Sequence, residues 1–236
     1  MAFPAGDSAV TFEVGHGISP EIQQRVQAFT VALEREPIYG IDEVFPTYRS
    51  LFIIYNPLIL SFSDLERILR DLEFNLDAMP SIPKRIVEIP TVYGGDGGPD
   101  LEFVAENAGL STDEVVKLHA GTDYLVYMMG FSPGFTYLGG LHKAIATPRL
   151  TTPRVSVPTG SVGIAGSQTG VYPSESPGGW QLIGRTPVPL FNSVQIPPTI
   201  VEPGEYLRFV SITNEECAEI VKRIRNGTFQ ITECFS

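Results

Sequence analysis

The chain has 236 residues, 43% of them hydrophobic, which is enough to build one large or two small cores. Its formal charge of -11, with only 16 lysines and arginines, excludes a surface that follows nucleic-acid or anionic-lipid phosphates. No apolar run approaches the roughly 20 residues of a membrane span, and no signal-peptide pattern opens the chain, so we expect a cytoplasmic protein. Cys217 and Cys234 form no C-x-x-C motif and are expected to be free thiols, although a single bridge between them stays open.

The N-terminal part of the chain alternates strand and helix patterns. Apolar residues alternate with polar ones over residues 8–14, which predicts a strand. Ser19 and Pro20 then suit the start of a helix, and strands are expected at Ile41–Phe45 and Arg49–Tyr55. The apolar stripe of that helix consists of Ile22, Val26, Phe29 and Leu33.

A second helix and a final strand complete the first predicted domain. Ser63 and Glu66 have the spacing of a capping box, and a strand is expected at Arg85–Ile89. The resulting βαββαβ order predicts a ferredoxin-like α/β domain over residues 1–88, with both helices on one face of a four-stranded antiparallel sheet.

Residues 89–236 are predicted to form a second, mainly β domain. Glycine and proline punctuate it so closely that short strands joined by defined turns are expected, as in a barrel or sandwich. Its clearest elements are a turn at Tyr93–Pro99, helices that follow Asp100 and Ser111, a strand at Tyr124–Met129 and a helix at Ser211–Arg225.

Motif patterns exclude most classes of enzyme. The chain has no P-loop, no G-x-G-x-x-G and no G-x-S-x-G, so neither a nucleotide-phosphate loop nor a serine-hydrolase nucleophile is expected. The histidines, His16, His119 and His142, are too widely separated to predict a metal site. The two helices after residue 100 resemble a helix-turn-helix, but their acidic character excludes DNA binding.

Polar side chains are concentrated between residues 149 and 185, on a frame that turns at many glycines. Arginine forks suit planar oxyanions, and a Gly-Gly pair exposes backbone amides. An alternative stays open, in which the arginines pair with carboxylates and the lone tryptophan is a core aromatic. We predict Gln168, Arg185, Arg149 and His119 as catalytic candidates, and Arg154, Thr169, Tyr172, Ser176, Gly178, Gly179 and Trp180 as substrate-binding candidates.

Two further predictions concern the role of His119 and of three aromatic residues. His119 is a candidate general base, but at the end of a short helix it would also interact favourably with the helix dipole. Phe131, Phe135 and Tyr137 are expected to be packing residues.

The segments that carry these candidates resemble a known family. They are GFSPGFTYLGGL at Gly130–Leu141, the segment Thr147–Trp180 with its core PTGSVGIAGSQTGVYPSESPGGW, and LIGRTP at Leu182–Pro187. With PTYRSLFIIYNP, GGPDLEFVA and PGEYLRF, they extend the resemblance over nearly the whole chain. They are similar to the signature of the carboxyltransferase C/D-subdomain family. That resemblance implies an N-terminal ferredoxin-like domain and a C-terminal cyclophilin-like β-barrel.

The resemblance also implies an activity and partners. The family includes 5-oxoprolinase subunits, also described as allophanate hydrolase subunits, and an inhibitor of a sporulation histidine kinase. It implies a protein that works with a homologue of the 5-oxoprolinase C subunit on 5-oxoproline using ATP, while a homologue of the A subunit then completes ring opening to glutamate. ATP would be shared with or bound by the partner. A kinase inhibitor, and part of an allophanate or urea carboxyl-transfer enzyme, remain as alternatives.

Overall fold

The computed structural model describes residues 1–75 and 84–235. They form two compact units, Met1–Ile82 and Pro83–Ser236. The first unit is built on a four-stranded sheet and the second on a closed β-barrel. In the part of the chain that is described, no helix is both long and apolar enough to cross a membrane.

The first unit packs two helices against an antiparallel sheet. Phe29 of the first helix meets Phe12 of the sheet edge-on, with ring centroids 5.2 Å apart, and both side chains are buried. The elements of this unit are the strands Ala2–Pro4 (β1), Ala9–Glu13 (β2), Ile41–Pro46 (β3) and Ser50–Tyr55 (β4) and the helices Pro20–Arg35 (α1) and Phe62–Asn75 (α2). The strand order is β1-β2-β4-β3.

One of the two predicted helix caps of this unit is confirmed and the other is wrong. Ser19 caps α1 as predicted, because its hydroxyl accepts a hydrogen bond from the Ile22 N–H at 3.3 Å. The predicted cap of α2 at Ser63 is wrong. The Ser61 hydroxyl accepts from the Asp64 N–H at 3.1 Å, so the helix begins before the position that a Ser63 cap would give it.

The second unit contains a seven-stranded barrel. In chain order the strands of this unit up to residue 211, seven of which form the barrel, are Arg85–Tyr93 (β5), Asp123–Met129 (β6), Thr136–Gly139 (β7), Arg154–Val157 (β8), Ser161–Ala165 (β9), Gln168–Val171 (β10), Ser176–Gly178 (β11), Gln181–Arg185 (β12) and Tyr206–Ser211 (β13). The barrel runs β12-β9-β10-β7-β6-β13-β5 and closes through the pairing of β5 with β12, while β8 and β11 form a separate pair. The prediction of an α+β chain with a C-terminal barrel is confirmed.

Helices and one more strand surround the barrel. Val104 and Val115, from two short helices, are fully buried in the same core as the inward side chains of the strands. The Ser111–Glu114 capping box predicted for the second of these helices is confirmed. These outer elements are Leu101–Ala108 (α3), Thr112–Ala120 (α4), Asn214–Arg225 (α5) and Thr232–Phe235 (β14), which pairs with β5.

The strand that begins at Arg85 corrects the predicted first domain. It does not complete the N-terminal sheet, where β1 takes the edge position beside β2. Its buried Val87 and Ile89 belong to the barrel core, and β13, β14 and β12 all pair with it. The described elements of the first unit therefore follow the order ββαββα, and the predicted βαββαβ order is wrong in its last element.

Candidate functional site

An aromatic cluster covers part of the outer surface of the barrel. Phe135, Tyr172 and Trp180 are buried and meet edge-to-face, with ring centroids 5.8 to 6.2 Å apart. Each of the three lies one residue beyond the end of a barrel strand, and the alternation of side chains along that extended chain places its ring outside the barrel core. Burial raises the pKa of the Tyr172 phenol, so this hydroxyl stays protonated near neutral pH.

Glycines make room for these rings. A Cβ on Gly163 would lie 3.1 Å from Trp180 Cβ, and one on Gly170 would lie 3.2 Å from Trp180 Cζ3. A Cβ on Gly178 would overlap the Tyr172 ring. Three of the six glycines between residues 160 and 180 are therefore explained by the close approach of aromatic residues to the strands β9, β10 and β11.

Arg149 lies at the edge of this cluster. Its Cζ is 6.0 Å from the centroid of the Trp180 ring, within the range of a cation–π interaction. The backbone is held on both sides: Gln181 Nε2 donates to the Pro148 carbonyl at 2.9 Å, and the amide after Arg149 donates to the Gly179 carbonyl at 2.7 Å. Arg149 is exposed and forms no ion pair with any residue that the structure describes. Arg149 is therefore an exposed cation on an anchored backbone, open to an anionic ligand.

Arg154 has a different role. Its Nη2 donates to both carboxylate oxygens of Asp100 at 2.8 Å, and its Nη1 donates to the Trp180 carbonyl at 3.1 Å. The same carboxylate accepts from the Leu182 N–H at 2.6 Å. Asp100 therefore does not cap α3 through its side chain, and Arg154 ties that helix start to the strand that follows Trp180. These contacts support a structural role for Arg154.

Two predicted site residues lie in the buried core of the second unit. His119 and Thr169 are fully buried, and their side chains meet at 2.7 Å. The other ring nitrogen of His119 is 2.7 Å from the Tyr93 hydroxyl. Complete desolvation lowers the pKa of His119 to about 3, so the ring is neutral near pH 7. Neither side chain contacts solvent, and the geometry does not support His119 as a general base.

The buried histidine predicts a pH dependence of stability. Its pKa falls from 6.5 in the unfolded chain to about 3 in the folded one, so protonation favours unfolding. Stability from this group is complete above about pH 6.5 and decreases by about 1.4 kcal/mol per pH unit below it, or ~2 kcal/mol at about pH 5. Urea unfolding across this window should give a steeper loss of stability for the wild type than for His119→Gln. An equal slope in both proteins would contradict the assignment.

The remaining predicted residues are divided between two places. Ser176 pairs with Val157, and Gln168 pairs with Ala165, so both strands adjoin the aromatic cluster. Arg185 is not close to them. It lies at the far end of β12, about 13 Å along the strand from its start, and its Nε donates to the Thr159 carbonyl at 2.9 Å.

Phe131 is a site candidate that the sequence pattern assigns to packing. It is 74% exposed, and its φ of 68° places a non-glycine residue in the left-handed region. Its ring meets Phe135 edge-on at 5.6 Å, which joins it to the aromatic cluster. Strained backbone residues cluster at functional sites, and Phe131 and Arg149 each lie against a ring of the aromatic cluster, Phe135 and Trp180 respectively. The one signal in the sequence is a bulky residue inside the glycine and proline turn that precedes Phe135.

A separate cavity of about 530 Å³ lies beside the glycine-rich turn after β5. Glu102 and Asp113 contribute carboxylates to its wall, and among the described residues that line it there is no lysine or arginine. An anionic ligand is therefore disfavoured there. Within residues 1–75 and 84–235, no three His, Cys, Asp or Glu side chains are grouped closely enough to hold a metal ion.

Comparison with known proteins identifies the family. The model of the carboxyltransferase domain, subdomains C and D, matches residues 2–201, which include the barrel strands up to β12 and the whole aromatic cluster. The chain belongs to this family. Within the carboxyltransferase C and D family, it is 44% identical over 222 residues to the B subunit of the Bacillus subtilis 5-oxoprolinase, covering 89% of this chain and 92% of that protein.

Two more relatives extend the comparison. The B subunit of the 5-oxoprolinase of Escherichia coli O157:H7 is 43% identical over 206 residues, covering 87% of this chain and 93% of that protein. The crystal structure of the K. lactis urea amidolyase superposes with a TM-score of 0.78 at 21% identity, covering all of this chain and 16% of that one. At that identity the likeness shows the fold alone.

Proposed function

We propose that this chain is the B subunit of an ATP-dependent 5-oxoprolinase and that the surface formed by Arg149, Phe131 and the aromatic cluster binds 5-oxoproline. The observation that carries the proposal is the exposed Arg149 guanidinium, which lies over Trp180 with Cζ 6.0 Å from the ring centroid and has no ion-pair partner among the described residues. Relatives named as B subunits of 5-oxoprolinase match most of the chain at 43 to 44% identity. The barrel is proposed to be cyclophilin-like.

The chemistry of 5-oxoproline fits this surface. The molecule is a small lactam ring with one carboxylate. A guanidinium offers paired N–H donors to a carboxylate, while the exposed Phe131 ring offers apolar surface to the ring methylenes. Gln168, Ser176 and the Gly178 and Gly179 region remain proposed contacts because they adjoin the cluster. His119, Thr169 and Arg185 lie elsewhere and are left out of this surface.

ATP is proposed to bind mainly to the partner protein. A polyphosphate needs clustered cations or a phosphate loop, whereas the cavity beside the glycine-rich turn is lined by carboxylates. The candidate surface presents the Arg149 cation to a ligand that carries one negative charge. We therefore assign substrate recognition to this chain and nucleotide binding to a homologue of the C subunit, while a homologue of the A subunit finishes hydrolysis to glutamate.

Reconstitution tests the proposed function. The chain is co-expressed with a C-subunit homologue, an A-subunit homologue is added, and ATP-dependent glutamate release from 5-oxoproline is measured. We expect turnover only when this chain is present. A stable complex without turnover would indicate another amide or carboxyl-transfer substrate. Failure to bind a C-subunit homologue would favour the kinase-inhibitor alternative.

Phe131 provides a test of the apolar side of the surface. Phe131→Gly removes the ring and the strain at φ 68°, whereas Phe131→Ala removes the ring and keeps the strain. We expect both variants to raise KM for 5-oxoproline, and only the glycine variant to gain stability, by ~1 kcal/mol. Steady-state kinetics and urea unfolding measure the two effects. An unchanged KM in both variants would remove Phe131 from the site.

A further inference from the structure

The buried histidine belongs to a hydrogen-bond chain whose direction follows from its donors. The Thr169 hydroxyl has one proton and donates it to the Gly163 carbonyl at 3.0 Å. It must therefore accept from His119 Nε2–H at 2.7 Å. His119 Nδ1 is then unprotonated and accepts from the Tyr93 hydroxyl, also at 2.7 Å. Each group therefore donates a hydrogen bond to the next: Tyr93 donates to His119, His119 donates to Thr169, and Thr169 donates to the backbone of β9.

Several contacts fix the imidazole in this position. Its ring lies 4.5 Å from the Phe209 ring at 32° and 5.4 Å from the Tyr124 ring. The Tyr124 hydroxyl donates to the His119 carbonyl at 2.9 Å, which fixes the end of α4 as well. The buried ring therefore holds one tautomer and one orientation, with Nε2–H directed at Thr169.

The series of hydrogen bonds ends at Gly163, directly beneath the candidate surface. Gly163 is the residue whose backbone approaches Trp180, and its partner across the β9–β10 pair is Gly170, which also lies against the Trp180 ring. Thr169 is the sequence neighbour of Gly170, and its hydroxyl donates a hydrogen bond to the Gly163 carbonyl. It therefore restrains the backbone at both glycines. Both glycines lie against Trp180, and Arg149 lies over the same ring.

We propose that His119 is a positioning residue, which acts through Thr169 to hold Gly163 and Gly170 in the geometry that seats Trp180 beneath Arg149. The inference rests on the proposed function only for its kinetic consequence. The structural consequence concerns Trp180 itself and can be measured without turnover.

The chain offers a selective probe and a matched control. Trp180 is its only tryptophan, so incorporation of 5-fluorotryptophan gives a single fluorine resonance at the site. Thr91 is fully buried in a barrel strand like Thr169, and its hydroxyl also donates to a backbone carbonyl at 3.0 Å, that of Ile89. Thr91→Val thus removes a hydroxyl-to-carbonyl hydrogen bond of the same length, within one strand, that does not involve the histidine.

Fluorine NMR of the full chain and kinetics of the reconstituted complex test the proposal. We expect Thr169→Val to shift or broaden the Trp180 resonance and to raise KM for 5-oxoproline about tenfold, a change of ~1.4 kcal/mol in binding. Thr169→Ser, which keeps the hydroxyl, should restore both values. Thr91→Val should leave both unchanged. Tyr93→Phe removes the hydroxyl that begins the series of hydrogen bonds, and we expect a smaller shift of the same resonance.

The contrary outcomes are distinct. If Thr169→Val and Tyr93→Phe both leave the resonance at its wild-type position, as Thr91→Val does, the positioning role is overturned. If Thr169→Val does not fold, Tyr93→Phe and His119→Gln decide the same question. Absence of turnover in the wild-type complex would contradict the proposed function, while the fluorine comparison would still decide whether His119 positions Trp180.

Discussion

Arg149→Gln is expected to lower kcat/KM for 5-oxoproline about 100-fold, equivalent to ~2.7 kcal/mol, while the Tm of the chain stays near the wild-type value. The loss is large because the variant removes the cation that lies over Trp180, and glutamine cannot form a charged, paired contact with a carboxylate. Stability should change by less than about 0.5 kcal/mol because Arg149 is exposed and has no ion pair among the described residues.

The control for this variant is an arginine away from the site. Arg225 is exposed at the end of α5, and Arg225→Gln removes the same charge from the chain. We expect wild-type kinetics for it. Arg149→Lys keeps the charge but loses the planar fork, and it should recover only part of the activity. Full activity in Arg149→Gln would exclude Arg149 from substrate binding.

Asp100→Asn is expected to destabilise the second unit by about 2 to 3 kcal/mol. The neutral amide leaves the Arg154 guanidinium partly buried without its counter-charge, and it weakens the contact to the Leu182 N–H. Breaking a fully buried ion pair costs ~3–5 kcal/mol, and the partial exposure of Arg154 reduces that figure. Urea unfolding followed by circular dichroism measures the change.

A double-mutant cycle separates the two possible roles of Arg154. If the residue is structural, Arg154→Met and Asp100→Asn should each destabilise the chain, and the double variant should be about 1 kcal/mol or more better than additive. If Arg154→Met instead keeps wild-type stability and loses substrate binding, Arg154 contacts the substrate, as its place in the sequence motif predicts.

Features set by nearby residues can be predicted from the sequence. The Ser19 cap and the Ser111–Glu114 capping box need only a few adjacent positions, and the structure contains both. The strand at Arg85 is also predictable, but its partners are not. An alternating pattern shows that a strand has a buried face and carries no information on which sheet receives it. The edge position in the first sheet is taken by the short strand Ala2–Pro4, which has no fully buried residue to reveal it.

The sequence predicts which segment of the chain carries the candidate site, but it does not predict which residues of that segment belong to the site. Arg149, Arg154 and Arg185 are equivalent in the sequence, and only the fold shows that the first is open, the second is paired with Asp100 and the third lies at the far end of β12. The Asp100 contact joins residues 54 positions apart, so no local pattern contains it. Phe131 escapes prediction because its exposure and its positive φ are properties of the folded turn.

The most direct test of the proposed substrate site is the fluorine resonance of 5-fluorotryptophan at Trp180 in the assembled complex, titrated with 5-oxoproline in the absence of ATP. We expect a saturable shift of that single resonance, because a carboxylate bound by Arg149 changes the electric field of the cation over the ring, and we expect no shift in Arg149→Gln. A resonance that stays fixed at concentrations of 5-oxoproline that saturate turnover would contradict the placement of the substrate on this surface.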